Sequence, residues 1–289
     1  MKKIYFIITI VFLIIIIFFN FFSITKTETA LSGNKISLVR KVQNPNRLIN
    51  ILLPKPEKVI NIGDIIVHKD VVYADKTFRQ LRNKTNRVFG LPGDRVRIYN
   101  KNVYNNDSII SIGTDKVFFK YRISFEEACD CEEILRGFKL KYIETLADGL
   151  ICEIVANPKT AKEIAKQQNI SNIRLDKLIR NTHSRGFFPE NMFFSWNKDY
   201  FGPVIVPEKN VTVKINPRNV ALYSKIIDRF ENNLLIYNLA GITINNEKTE
   251  QYTFQNNYYF VLNDNRDIKK DSRYYGFIPE DYITGKVIL

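Results

Sequence analysis

The sequence predicts a mainly β protein: a β core interrupted by an inserted α+β domain and preceded by one N-terminal transmembrane helix. Three observations predict it. An apolar run opens the chain, and after it come short branched and aromatic runs bounded by Gly, Pro, Asn and Asp. Helix-start signals gather only in the middle. With 289 residues, 45% hydrophobic and 25% charged, the chain is neither disordered nor collagen-like and can bury a sizeable core.

The apolar run is Ile4 to Phe22, in which only Thr9 and Asn20 are polar. As a helix it extends roughly 29 Å, close to the thickness of a bilayer core. The nearest small-x-small site, Ala30-Leu31-Ser32, lies well past its end, so a retained anchor is expected in preference to a cleaved secretory signal. The expected division is an anchor over 1–24, β core over 25–114, mixed insert over 115–195 and the rest of the core over 196–289.

The core strands are expected at Asp64–His68, Asp94–Ile98, Val211–Ile215, Tyr258–Leu262 and Lys286–Leu289. Within the insert, Ser124-Phe125-Glu126-Glu127 has capping-box form and predicts a helix start. Asn157-Pro158 predicts another, with Ala161, Ile164 and Ala165 on its apolar face. Ser171 predicts a third short helix, using Leu175, Leu178 and Ile179.

Net charge is +13, spread along the chain. Lys26, Lys35, Arg40 and Lys41 follow the apolar run, where cations attract anionic lipid. No nucleic-acid-binding motif is present, and nucleic acid is not an expected partner. The three cysteines, Cys129, Cys131 and Cys152, are too few and too acidic in surroundings for a zinc site. They read as ordinary helix and strand residues, with room for one disulfide if the domain is exported. No metal and no cofactor is implied.

Two segments carry the chemistry. The first is Asn86-Arg87-Val88-Phe89-Gly90-Leu91-Pro92-Gly93-Asp94, which by itself reads as a tight strand–turn–strand corner. The second runs from Leu262-Asn263-Asp264-Asn265-Arg266-Asp267 to Asp271-Ser272-Arg273 and on through Gly276 and Pro279. Alternating Asp and Arg there can hold a loop by charge-assisted hydrogen bonds.

In this order, after an anchor, the two segments resemble the boxes of bacterial type I signal peptidases, the leader peptidases. Arg87, Gly90, Leu91, Pro92, Gly93 and Asp94 match the first box. Asp264, Asn265, Arg266, Asp271, Ser272, Arg273, Gly276 and Pro279 match the second. Gly63-Asp64-Ile65-Ile66-Val67 looks like the strand that precedes them, and Phe194 to Pro207 resembles long-insert members. The resemblance implies a membrane-anchored β catalytic core on the outer face of the membrane. A serine activated by a lysine would there remove signal peptides from exported preproteins after a small-x-small site. The expected partners are those signal peptides and membrane lipid.

The chain departs from the family at the dyad. Asn86 stands where the family has its lysine, and an amide cannot be a general base. No serine segment of the family type follows the anchor; counting back from Gly33 puts Thr25 at the nucleophile position, with Thr27 and Ser23 as alternatives. Asn263 replaces the glycine that opens the second box, and Lys269 replaces its first serine. Two readings stay open. In one, Thr25 or Thr27 attacks and Lys269, in preference to Lys84, supplies the base. In the other, the chain keeps the fold without the chemistry. His68, at a strand end, reads as a packed or partly exposed residue, and His183 carries no catalytic reading.

Overall fold

The computed structural model describes residues 9–15, 22–29, 33–41, 60–71, 83–138, 140–268 and 270–287. Most of the apolar run, and with it the expected anchor, lies outside them. Residues 9–15 are an exposed helical stretch, and among the described residues no helix is long and apolar enough to cross a membrane.

Seven antiparallel strands make the largest sheet. They are β1 (Phe22–Thr29), β2 (Gly33–Lys41), β3 (Ile65–Lys69), β4 (Asn83–Gly90), β18 (Tyr258–Leu262), β19 (Ile278–Pro279) and β20 (Ile283–Val287). Their order is β1-β2-β20-β3-β4-β18-β19, and the sheet curls so that the backbone of β1 comes back against β4. A second sheet, in the order β12-β5-β6-β7, contains β5 (Arg95–Tyr99), β6 (Asn102–Asn105), β7 (Ser108–Ile109) and β12 (Tyr200–Ile205). A two-stranded ribbon pairs β13 (Thr212–Lys214) with β17 (Gln251–Thr253). A small meander joins β14 (Leu235–Asn238), β15 (Gly241–Ile244) and β16 (Glu247–Lys248).

Strand β18 is buried along its whole length, which is why it reads as a continuous apolar run, and β4 is buried from Asn86 to Gly90. Their side chains alternate between two cores. Phe89, Phe260 and Leu262 point to one, with Val96, Phe201, Val206 and Phe277. Val88, Tyr259 and Val261 point to the other, with Ile66, Tyr275, Ile278 and Ile283.

The insert has its own four-stranded antiparallel sheet, ordered β11-β8-β10-β9. It contains β8 (Phe119–Phe125), β9 (Tyr142–Leu146), β10 (Ile151–Ala156) and β11 (Ile170–Leu175), with helices α1 (Cys131–Ile134) and α2 (Pro158–Ile164). The chain order β-α-β-β-α-β with that strand order is the split βαβ arrangement. Tyr121, Ile123, Phe125, Ile154, Ala161 and Ile164 fill its core, and Cys131 is disulfide-bonded to Cys152 within it. Cys129 is free.

The expected start of α2 holds, with Asn157 Oδ1 accepting from Thr160 N at 2.8 Å. Two helix expectations do not. The segment at Ser124 is strand: Tyr121, Ile123 and Phe125 alternate inward along β8, and this period-2 burial overrides the capping-box pattern. The helix begins after Asp130, whose Oδ1 accepts from the amides of Glu132 and Glu133. The segment at Ser171 is β11, which satisfies its backbone by pairing with β8. Outside the insert, α3 (Val220–Lys225) runs into a π turn at Ile226–Phe230, and α4 (Ser272–Tyr275) lies within the second box.

The insert is tied to the core through the second box. Phe118 pairs with Asn265, donating its amide to Asp264 O at 2.9 Å and accepting from Arg266 N at 3.0 Å. Buried Asp267 accepts from Lys120 N at 2.7 Å and pairs with Lys101 and Lys198, at 3.1 and 2.9 Å. Burial opposes the charge on Asp267, yet these two ammonium groups hold its carboxyl below the ordinary range.

Candidate functional site

The corner between β4 and β5 is built by the residues of the first box. Gly90 has no room for a side chain, since a Cβ there would meet Val96 Cγ2 at 2.5 Å and Val206 Cγ2 at 2.8 Å. Gly93 adopts φ +84°, which glycine takes without strain. Asp94 closes the corner by accepting from Leu91 N at 2.8 Å, Asn105 Nδ2 at 2.6 Å and Asn106 Nδ2 at 2.8 Å. Pro92 fills the turn between them.

Arg87 brings the two boxes together. Its Nε and Nη2 donate to Asp264 Oδ1 and Oδ2 at 2.8 and 2.6 Å, and Nη1 donates to Gly63 O at 2.7 Å. Asp271 is fully buried and accepts from Asn263 N, Arg273 N, Arg273 Nε and Arg273 Nη2. Arg273 also donates to the carbonyls of Lys198 and Arg266. Ser272 Oγ accepts from Val261 N at 2.9 Å, which fixes α4 to β18. Arg266 lies over the Phe89 ring at 4.5 Å; burial first, then the neighbouring Arg273 charge, lowers it to about 10. Asn265 Oδ1 is buried without a hydrogen-bond partner among the described residues.

Asn86, expected from the resemblance to stand at the lysine position, sits on β4 in a buried polar cluster. Its Oδ1 lies 2.9 Å from His68 Nε2 and accepts from the Tyr275 hydroxyl at 3.0 Å. His68 Nδ1 lies 2.8 Å from Lys69 O. Burial pushes the imidazole below its ordinary 6.5, against the opposing pull of its bonds to Asn86 and the Lys69 carbonyl. Burial likewise raises the Tyr275 hydroxyl well above its usual range. Both ring nitrogens of His68 are engaged inside the cluster, and a buried histidine of lowered pKa is a weak base. Lys84 pairs with buried Asp70 at 3.0 Å and stacks over the Tyr275 ring at 5.3 Å.

Ser23, Thr25 and Thr27 lie on β1, paired across β2 with Val39, Ser37 and Lys35. The curl of the sheet brings β1 back to β4, the strand that carries Asn86. Lys269 lies outside the described residues. Sequence reading left His68 as packed or partly exposed and missed its partnership with Asn86 and Tyr275; the structure buries it fully. The signal was thin: a histidine and an asparagine in two runs that read as strands, with nothing to say that the runs pair.

The family model described as "Signal peptidase, peptidase S26" matches residues 1–136 and 201–289, leaving out most of the insert. The chain is 28% identical over 229 residues to signal peptidase I of Buchnera aphidicola subsp. Acyrthosiphon pisum, covering 79% of this chain and 52% of that protein. It is 44% identical over 55 residues to signal peptidase I of Aquifex aeolicus, 19% of each chain. The chain thus spans about half the length of the Buchnera relative. With both boxes joined through Arg87 and Asp264, and most of the chain within the family match, this protein belongs to the signal peptidase family, peptidase S26.

Proposed function

We propose that the chain receives the signal peptides of exported preproteins at the site beside β4 and cleaves after small-x-small sequences weakly or not at all. The observation that carries this reading is Asn86. It replaces the family lysine and is engaged by His68 and Tyr275, so the family's base is absent from its place. A threonine without a base offers little nucleophilicity at neutral pH. The proposed organisation is an anchor over 1–24, core over 25–114 and 196–289, and insert over 115–195, with the domain on the outer membrane face. The Cys131–Cys152 bond supports that side, because disulfides persist in oxidising compartments.

One observation favours a second reading. The backbone of β1, the strand of Thr25 and Thr27, comes back against β4, the strand of Asn86, which supports a rebuilt dyad in which one of these threonines attacks and Lys269 supplies the base. The test is incubation of the detergent-solubilised full chain with a preprotein bearing an Ala-x-Ala site, reading product termini by mass spectrometry. Binding of the preprotein with slow or no cleavage is expected. Rapid cleavage after the site, abolished in Thr25→Ala or Thr27→Ala and in Lys269→Ala, would establish the rebuilt dyad instead. No binding at all would overturn both readings.

A further inference from the structure

Residues 184–197, between β11 and β12, fall in the part of the chain that the family match leaves out. They nevertheless reach the second box. Phe188 N donates to Arg273 O at 2.8 Å. The Phe188 ring lies against the backbone of Gly276, where a Cβ would meet its Cε2 at 3.0 Å. Gly276 also adopts φ +82°, so a side chain there would be both strained and in the way of the ring. Buried Phe187 packs on the Tyr274 ring, with centroids 4.3 Å apart. Arg273 Nη1 donates to Lys198 O at 2.9 Å, just past the end of the same segment. Helix α4 is thus gripped at Arg273, Tyr274 and Gly276.

The gripping residues are themselves held. Ser184 N donates to Trp196 O at 3.2 Å, and Phe187 N to Ser184 O at 3.4 Å. Fully buried Asn197 donates from Nδ2 to the carbonyls of Ile179 and Thr182, both at 3.0 Å. The Trp196 ring meets Phe201 of β12 at 4.7 Å, and the Phe188 ring meets Phe277 edge-on at 5.6 Å. The segment is therefore a strap, closed by its own bonds and seated on the core.

What α4 carries is Tyr275. Its hydroxyl donates to Asn86 Oδ1 at 3.0 Å, and that oxygen lies 2.9 Å from His68 Nε2. A helix of one turn does not persist by propensity, so the place of α4 is set by what packs on it. On the core side, Ser272 Oγ accepts from Val261 N at 2.9 Å and Lys225 Nζ donates to Tyr275 O at 3.1 Å. Phe187 and Phe188 supply the opposing contact. Close-packed rings of this kind pass a displacement on to their neighbours.

We propose that Phe187 and Phe188 are positioning residues of the site around Asn86: seated on α4, they fix where the Tyr275 hydroxyl meets Asn86. The inference rests on the reading that preproteins bind at this site. It makes a segment outside the family match part of the site's construction, through Tyr275 and not through contact with substrate.

The chain has two histidines, so His68 can be followed as a reporter of the cluster. Its ring faces Asn86 and Tyr275, and the charged groups acting on it are Lys84 and Asp70. The test is NMR of the detergent-solubilised full chain carrying isotope-labelled histidine, with His183→Gln giving the assignment and preprotein binding measured in parallel. In Phe188→Ala the cluster loosens and water reaches the imidazole. The His68 titration midpoint is expected to rise toward the ordinary 6.5. Preprotein binding is expected to weaken about fivefold, the factor that one hydrogen bond is worth. Phe188→Leu keeps an apolar side chain on Gly276; it is expected to move both readouts less, and serves where the alanine variant does not fold. Phe194→Ala trims the same strap where it meets Trp196 and is expected to leave the His68 midpoint unchanged. An unchanged midpoint in the folded Phe188 variants would overturn the proposal, as would an equal shift in Phe194→Ala. A shifted midpoint with unchanged preprotein binding would uphold the positioning role and remove the binding reading beneath it.

Discussion

His68 Nε2 lies 2.9 Å from Asn86 Oδ1, joining adjacent strands β3 and β4 inside a buried polar cluster. The two are diagonal neighbours, since Ile66 faces Asn86 and His68 faces Lys84 in the register. Asn86 cannot take a proton, and burial disfavours the charged form of His68, the titratable ring bound to it.

The cluster makes stability sensitive to acid. Because burial lowers the folded-state pKa of His68 below 6.5, the unfolded chain binds its proton first as pH falls. The contribution is complete above about pH 6.5 and is lost as pH drops toward the folded value. A His68→Gln variant, which cannot titrate, is expected to show a flatter dependence of Tm on pH between 7 and 5. An unchanged slope would mean that His68 is solvated in the folded state.

Asp264→Ala removes the partner of buried Arg87 and leaves its guanidinium with only the Gly63 carbonyl among its described partners. Loss of one member of a buried pair costs about 3–5 kcal/mol. Denaturant unfolding of the solubilised chain should show a midpoint shift of that order, and a shift under about 1 kcal/mol, the range of surface pairs, would contradict the burial of the pair.

Gly90→Ala forces a methyl group into the space held by Val96, Val206 and Phe260. Overpacking of this kind costs about 1–3 kcal/mol. Paired Gly90→Ala and Val96→Ala changes should recover part of the loss, because the added methyl then meets a shorter neighbour. Strictly additive losses would place the clash elsewhere.

Reduction of Cys131–Cys152, which spans 21 residues, removes a cross-link worth about 3 kcal/mol by chain entropy. Both cysteines lie in the insert core and none in the main cores. Hydrogen exchange under reductant should therefore accelerate in β8 and β10 while β4 and β18 stay protected. Equal acceleration in both would show that insert and core unfold as one unit.

Much of the architecture was legible because burial leaves a periodic trace. The runs of β3, β5 and β18 were readable from branched and aromatic residues, and α2 from Asn157-Pro158. The misreadings at Ser124 and Ser171 share a cause. Both carry local helix-start chemistry worth about 1 kcal/mol, while pairing across β8 satisfies a row of backbone groups at once. The boxes were legible as glycine, proline and charged residues at fixed spacing, but their joining was not, because Arg87 and Asp264 lie 177 positions apart.

By itself the sequence determined the family resemblance, the substitution of Asn86 and the corner chemistry of Gly90, Gly93 and Asp94, since each depends on residue type and short spacing. The tertiary structure alone decided who surrounds Asn86, which cysteines pair, and that β1 returns to β4. Those facts arise from the register and curl of a sheet whose neighbouring strands are far apart in the chain. No local pattern encodes such neighbours; the free energy of burying β18 and residues 86–90 of β4 selects them.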